Sequence, residues 1–215
     1  MLQYTVIAGP NGAGKSTLSA RMSRRDAIIF DPDKEKAIIE KSYPDISAEA
    51  IESAVTRKYD QCELRALVSK KSFTVETNLR NEFLAERAGR FRESGYDTRL
   101  VFMMLPDVES SMDRVNLRVR QKGHFVDHES IRYKFEASQE NLLKVASRFD
   151  QVMLVCAASA FGIIAAPERL LVTKGAEVMD INPAAPAWAH ALMQEVIDII
   201  GGQNPGKDQS FKIRR

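Results

Sequence analysis

Residues 9–16 read Gly9-Pro10-Asn11-Gly12-Ala13-Gly14-Lys15-Ser16, which satisfies the pattern G-x-x-x-x-G-K-[ST] in full. No other feature limits the fold so narrowly, because the pattern works only where a strand ends and a helix begins. Here the apolar run Tyr4–Ala8 precedes it and the helix-compatible stretch Lys15–Arg24 follows. The glycines allow a tight turn and a close approach to phosphate. Backbone N–H groups of about residues 12–17 then face a β-phosphate, reinforced by the helix N-terminus. Lys15 is placed to reach the β- and γ-phosphates and the Ser16 hydroxyl to ligate Mg²⁺. The nucleotide-binding set is therefore Gly9, Pro10, Asn11, Gly12, Ala13, Gly14, Lys15, Ser16 and Thr17, with ATP and Mg²⁺ as its ligands.

Downstream, short β-like runs alternate with longer helical ones, the pattern of an α/β sandwich with a mainly parallel sheet. Strands are expected at Tyr4–Ala8, Ala27–Phe30, Ser72–Glu76, Arg99–Leu105 and Gln151–Cys156. Helices are expected at Lys15–Arg24, Ala48–Lys70, Asn81–Ser94, Val108–Arg120 and Glu129–Ser147. Pro106-Asp107 ends the fourth strand and offers a cap to the next helix, and Gly95 suits a helix C-terminus. Arg169–Thr173 and Glu177–Ile181, joined through Lys174-Gly175-Ala176, read as a hairpin. Pro186 opens a helix running to about Ile200. Residues 1–200 are thus expected to form one domain, with 201–215 as a flexible tail.

Composition narrows the function. The 31 basic and 29 acidic residues leave a net charge of +2, which gives no support for a nucleic-acid surface. Cys62 and Cys156 belong to no C-x-x-C pair and are expected to be buried, reduced thiols. The apolar runs Val152–Ala158 and Phe161–Pro167 are too short to cross a bilayer, and no secretory leader precedes the loop motif, so no membrane partner and a cytoplasmic location are expected. The chain lacks the L-S-G-G-Q signature of transporter ATPases and the N-K-x-D motif of GTPases. A compact kinase-like protein remains.

A kinase needs a carboxylate beside the acceptor hydroxyl and cations around the transferring phosphoryl group. Asp31-Pro32-Asp33 follows the second strand, which places both carboxylates at the C-terminal edge of the sheet. Asp33 is a candidate base. Equally, Asp31 or Asp33 can serve as a helix cap. Glu76 closes the apolar strand Phe73-Thr74-Val75-Glu76, where it suits a Mg²⁺ or polar-substrate contact with Thr77 and Asn78 behind it. Arg114, Arg118, Arg120 and Lys122 run into Gly123-His124, with Arg132 beyond. Such a basic helix end reads as a lid over about residues 118–134, or as a solvated face. His124 is expected to order that loop or touch substrate rather than bind zinc.

Together with the loop motif, Phe30-Asp31-Pro32-Asp33, Phe73-Thr74-Val75-Glu76-Thr77-Asn78-Leu79, Gly95-Tyr96-Asp97-Thr98-Arg99 and the segment from Arg114 to Val126 resemble the zeta toxin family of P-loop kinases. Ile131-Arg132 and Glu140-Asn141-Leu142 extend the likeness, which spans about Tyr4 to Gln151 and is nearest the short, stand-alone branch. The resemblance implies a three-layer nucleotide-kinase fold with a central mainly parallel sheet and a helical lid, the C-terminal hairpin and helix being additions to it. It implies ATP·Mg²⁺ as donor and a small-molecule hydroxyl as acceptor. In the best-known members that acceptor is UDP-N-acetylglucosamine, and an antitoxin holds the kinase in check. Residue by residue, it implies Asp33 as base, Glu76 as the acidic substrate-side group, and Lys15 and Ser16 as phosphate and magnesium groups. Arg118 or Arg120, with Arg132, become the phosphate clamp. The chain departs from the pattern at Cys156-Ala157-Ala158-Ser159, at Lys122-Gly123 before His124, and in the thinned basic run Arg132-Tyr133-Lys134. The alternative function is a nucleotide-dependent regulatory ATPase without a phosphoryl acceptor.

Overall fold

In a computed structural model the described residues are 1–120, 126–156 and 167–202. Seven strands form one sheet: β1 (Gln3–Ala8), β2 (Ile28–Phe30), β3 (Phe73–Thr77), β4 (Asp97–Met104), β5 (Gln151–Cys156), β6 (Glu168–Lys174) and β7 (Glu177–Ile181). Their order across the sheet is β2-β3-β1-β4-β5-β6-β7. The first five run parallel, and β6 and β7 are antiparallel to their neighbours. The expected hairpin is therefore a continuation of the sheet, because β6 pairs directly with β5.

Seven α-helices complete the described chain: α1 (Lys15–Met22), α2 (Pro32–Ser42), α3 (Ala48–Val68), α4 (Phe83–Glu93), α5 (Val108–Arg120), α6 (His128–Val145) and α7 (His190–Gly201). Strand alternation divides the core into two layers. Tyr4, Val6 and Ala8 of β1, with Leu100, Phe102 and Met104 of β4, pack under α3, α4, α7 and the end of α6. Ile7, Val101 and Met103 face the other way, against Leu18 of α1, Val108 of α5 and Phe135 of α6. The result is three layers, helices on both faces of the sheet.

Local chemistry explains the boundaries. Gly95, at φ 83°, ends α4: its N–H donates to the Arg92 carbonyl, and the Tyr96 N–H to that of Phe91. Helix α2 was not among the expected helices. Its sequence has little apolar periodicity and it buries no residue fully, yet the Asp31 cap and Pro32 at the first helical position start it. Pro186 opens a short 3₁₀ turn at Ala187–Ala189, and α7 begins only at His190. Cys156 is buried but Cys62 is only half-buried, and neither forms a disulfide among the described residues. No helix among the described residues is long and apolar enough to cross a membrane. Of the expected lid, α5 supplies the start and α6 the end; residues 121–125, His124 included, lie outside the described residues, as does 203–215 of the expected tail.

Candidate active site

Parallel pairing brings the C-terminal ends of β1, β2 and β3 to one edge of the sheet, where open α/β sheets bind ligands. Ile7 pairs with Glu76 and Phe30 with Val75, so Asp31, Glu76 and the start of the loop lie at neighbouring levels. The loop leaves β1 at Gly9, whose φ is 140°. A Cβ there would stand 2.5 Å from the Met103 carbonyl oxygen, so a side chain is excluded on both counts. A Cβ at Gly12 would lie 2.8 Å from the Arg114 Cβ. The loop is clasped between β4 and α5.

Helix α5 holds it there. Ser111, fully buried, donates to the Asn11 carbonyl at 2.6 Å, and the Arg114 guanidinium donates to the Gly12 carbonyl at 3.4 Å. Arg118, one turn beyond Arg114 on the same face, adds its positive field at Lys15. Arg120 lies nine residues after Ser111, on the opposite side of the helix.

The loop fits a phosphate chain. Among the described residues, the N–H groups of Gly14, Lys15 and Ser16 have no protein acceptor, and the first turn of α1 contains no acidic residue. Four such donors are what a helix start leaves open. Lys15 donates to the carbonyls of Gly9 (2.9 Å) and Pro10 (3.0 Å) and to Asn78 Oδ1 (2.7 Å). Burial pushes its ammonium down to about 8, against the pull of Asp33, Glu76 and Asp31.

Ser16 is the meeting point of two carboxylates. Its hydroxyl donates to Glu76 at 2.7 Å and lies 3.4 Å from Asp31. Glu76, only 3% exposed, also accepts from Ser19 at 2.5 Å. A hydroxyl with two carboxylates is an all-oxygen donor set, and it suits Mg²⁺ sharing its shell with phosphates and water. Among the described residues, no three His, Cys, Asp or Glu side chains gather into a self-sufficient metal cage.

The two aspartates after β2 divide the possible roles. Asp31 caps α2, accepting from the N–H groups of Asp33 (3.1 Å) and Lys34 (3.3 Å), and it pairs with the Lys34 ammonium at 3.1 Å. Asp33 sits in the first turn with an exposed carboxylate that accepts no hydrogen bond among the described residues. Its field reaches both Lys15 and Lys134. Thr77 accepts from the Leu79 N–H at 2.9 Å and so shapes the turn after β3. Arg132 is exposed on α6.

Sequence reasoning missed Ser19, Ser111 and Lys134. Ser19 is three residues from Ser16 on α1, and Ser111 shares the Arg114–Arg118 face of α5, so helical spacing carried a signal for both. Lys134 is half-buried on α6, on the same face as Ile131 and Phe135; burial lowers the pKa of its ammonium while Asp33 resists and Arg80 adds to the fall. Only the docking of α6 discloses it.

A strand, a clasped glycine loop, an N-terminal lysine and a hydroxyl–carboxylate pair define a nucleoside-phosphate-binding protein with the P-loop kinase fold. The sequence model of the zeta toxin family matches residues 3–164, and the chain belongs to that family. A protein of Haemophilus influenzae is 25% identical over 127 residues, covering 59% of this chain and 88% of its own length. Among solved structures, a chain of the PezAT chromosomal toxin–antitoxin system of Streptococcus pneumoniae superposes with a TM-score of 0.55 at 15% identity, covering 72% of this chain and 67% of that one. The AvrRxo1-ORF1:ORF2 complex gives 0.65 at 17% identity, over 92% of this chain and 64% of that one, and its form with ATP gives 0.63 at 16% over 91% and 64%. The chain thus spans just under two thirds of the AvrRxo1 chain, and at these identities the likeness concerns the fold.

Proposed function

We propose that this protein is an ATP- and Mg²⁺-dependent kinase that transfers the γ-phosphoryl group to a hydroxyl of a small metabolite. The observation that carries the reading is the convergence, at one sheet edge, of a phosphate loop, a Ser16–Glu76–Asp31 oxygen set and an Asp33 carboxylate that does not cap α2 and accepts no hydrogen bond among the described residues. A regulatory ATPase that signals by lid closure requires only the first two, whereas transfer to an acceptor hydroxyl calls for the third. Family membership and the ATP-bound form of AvrRxo1-ORF1:ORF2 support the donor.

In this reading the N–H groups of Gly14, Lys15 and Ser16 bind the β-phosphate, and Lys15 neutralises charge on the β- and γ-oxygens. Ser16 would hold Mg²⁺, with Glu76 and Asp31 orienting its hydroxyl, and the ion when bound would neutralise phosphate charge. Asp33 orients the acceptor hydroxyl and takes its proton as the new O–P bond forms and the bond to the β-phosphate oxygen breaks. Arg118 adds positive charge from α5, and Arg132, Arg120 and His124 belong to the lid side of the proposal. Thr77 and Asn78 are assigned to the acceptor side, beside Glu76. UDP-N-acetylglucosamine is the first acceptor to test. A neutralising antitoxin is part of the same proposal, supported by the toxin–antitoxin origin of the PezAT relative.

The test is incubation with Mg²⁺ and γ-labelled ATP, with UDP-N-acetylglucosamine and then a metabolite pool. Label on a small molecule, lost in Asp33→Ala while ATP binding persists, is the expected result. Release of free phosphate alone would replace the kinase with an ATPase, and undiminished transfer by Asp33→Ala would remove Asp33 as the base.

A further inference from the structure

The contact between Lys15 and Asn78 joins the first residue of α1 to the exit of β3, 63 residues apart. A lysine ammonium has three N–H donors. All three are taken: by Gly9 O, Pro10 O and Asn78 Oδ1, with the last the shortest at 2.7 Å. A phosphate oxygen therefore cannot be added to Lys15 without displacing one of them.

The three acceptors are not equally able to yield. The two carbonyls are part of the loop backbone, which Met103 blocks at Gly9 and Ser111 holds at Asn11. The backbone around Asn78 is equally fixed. Leu79 adopts a left-handed φ of 51°, its N–H is held by Thr77, and its carbonyl accepts from the Asn141 carboxamide of α6 at 3.0 Å. What remains free to turn is the Asn78 side chain and the Lys15 side chain. Lys15 is surrounded by the fields of Asp33 and Asp31 from α2, Glu76 from β3 and Arg118 from α5, yet among the described residues it forms no ion pair with any of the three carboxylates. Its outside partner is a neutral carboxamide, an acceptor that phosphate can outcompete.

We propose that Asn78 is the exchangeable ligand of Lys15: it holds the ammonium against the loop before nucleotide enters, and is released when Lys15 turns to the phosphates. The proposal rests on the nucleotide-binding part of the function given above. It gives Asn78 a second duty beyond the acceptor side: it is a positioning residue, acting on the donor through Lys15. It also gives a direction to catalysis. The Asn78 Oδ1, the atom that Lys15 occupies, becomes available to the acceptor side only after the donor has bound.

The sign of one substitution tests it. Binding of Mg²⁺ with the non-hydrolysable analogue AMP-PNP is measured by calorimetry on the full chain, without acceptor. Asn78→Ala removes a bond made only in the free protein, so AMP-PNP binds tighter, by about three- to tenfold. Asn78→Asp holds Lys15 as an ion pair and repels the phosphates, so binding weakens by about tenfold or more. In the Lys15→Ala background the Asn78→Ala change loses its effect, to within about twofold, as a coupled pair requires. Thermal unfolding verifies that each variant is folded. Weaker or unchanged binding in Asn78→Ala overturns the exchange, and so does a gain that persists without Lys15. A protein that behaves as stated yet labels no acceptor keeps the exchange and loses the kinase; one that binds no AMP-PNP loses the nucleotide reading and the exchange together.

Discussion

Replacing Ser111 by alanine probes how the phosphate loop is held. The Ser111 hydroxyl is fully buried and donates at 2.6 Å to the carbonyl of Asn11, itself only 5% exposed. Among the described residues the Asn11 side-chain oxygen is already buried without a partner. Alanine would therefore leave a second unsatisfied oxygen on the same residue, with no hydroxyl and no room for water beyond the volume of one lost atom. A buried acceptor stripped of its donor costs about 1–3 kcal/mol. For a chain of this size each kcal/mol moves Tm by about 2–4 °C, so a mid-range loss lowers it by about 4–8 °C. The assay is thermal unfolding with and without Mg²⁺·AMP-PNP. The free protein should melt lower, and AMP-PNP should bind more weakly, because Asn11 no longer fixes the loop to α5. A Tm within about 1 °C of the parent with unchanged affinity would show that the hydroxyl is incidental to the loop.

Two further outcomes follow from the same geometry. Gly9→Ala places a methyl 2.5 Å from the Met103 carbonyl on a backbone at φ 140°, so it should abolish AMP-PNP binding or prevent folding; normal binding and Tm refute the account of the clasp. At the far end of the sheet, burial would raise the pKa of Asp150, but bonds from the Thr98 N–H and hydroxyl (both 2.8 Å) and from Arg92 (2.9 Å) outweigh it and hold the pKa below 3.8. The stability it adds is complete above 3.8 and is lost as pH falls through the lowered folded value. The Tm gap between parent and Asp150→Asn should narrow as pH drops from 7 into that range; a gap that widens or stays constant would contradict the assignment.

The sequence by itself determined the loop, its strand and its helix, because a phosphate-binding turn needs specific residues at fixed spacing and those residues are contiguous. Period-two and helical patterns likewise gave the alternation of the parallel core, and a Lys-Gly-Ala turn gave the hairpin. Glu76 was legible as an acidic residue closing an apolar strand, and Asp31 and Asp33 as carboxylates just beyond one. Which aspartate caps α2 was not, since both suit a cap and only the backbone path settles that Asp31 takes the N–H groups. Helix α2 escaped notice because it is held by its cap rather than by a buried face. Tertiary structure alone decided that the hairpin extends the sheet, that α5 presents Ser111 and Arg114 to the loop, and that Lys134 of α6 comes within the field of Asp33. It also decided that Asn78 meets Lys15. Those contacts depend on how parallel strands align and how helices dock, and the residues that make them are separated by tens of positions. No local pattern encodes the pairing, because the partners meet only once the sheet and its helices are assembled.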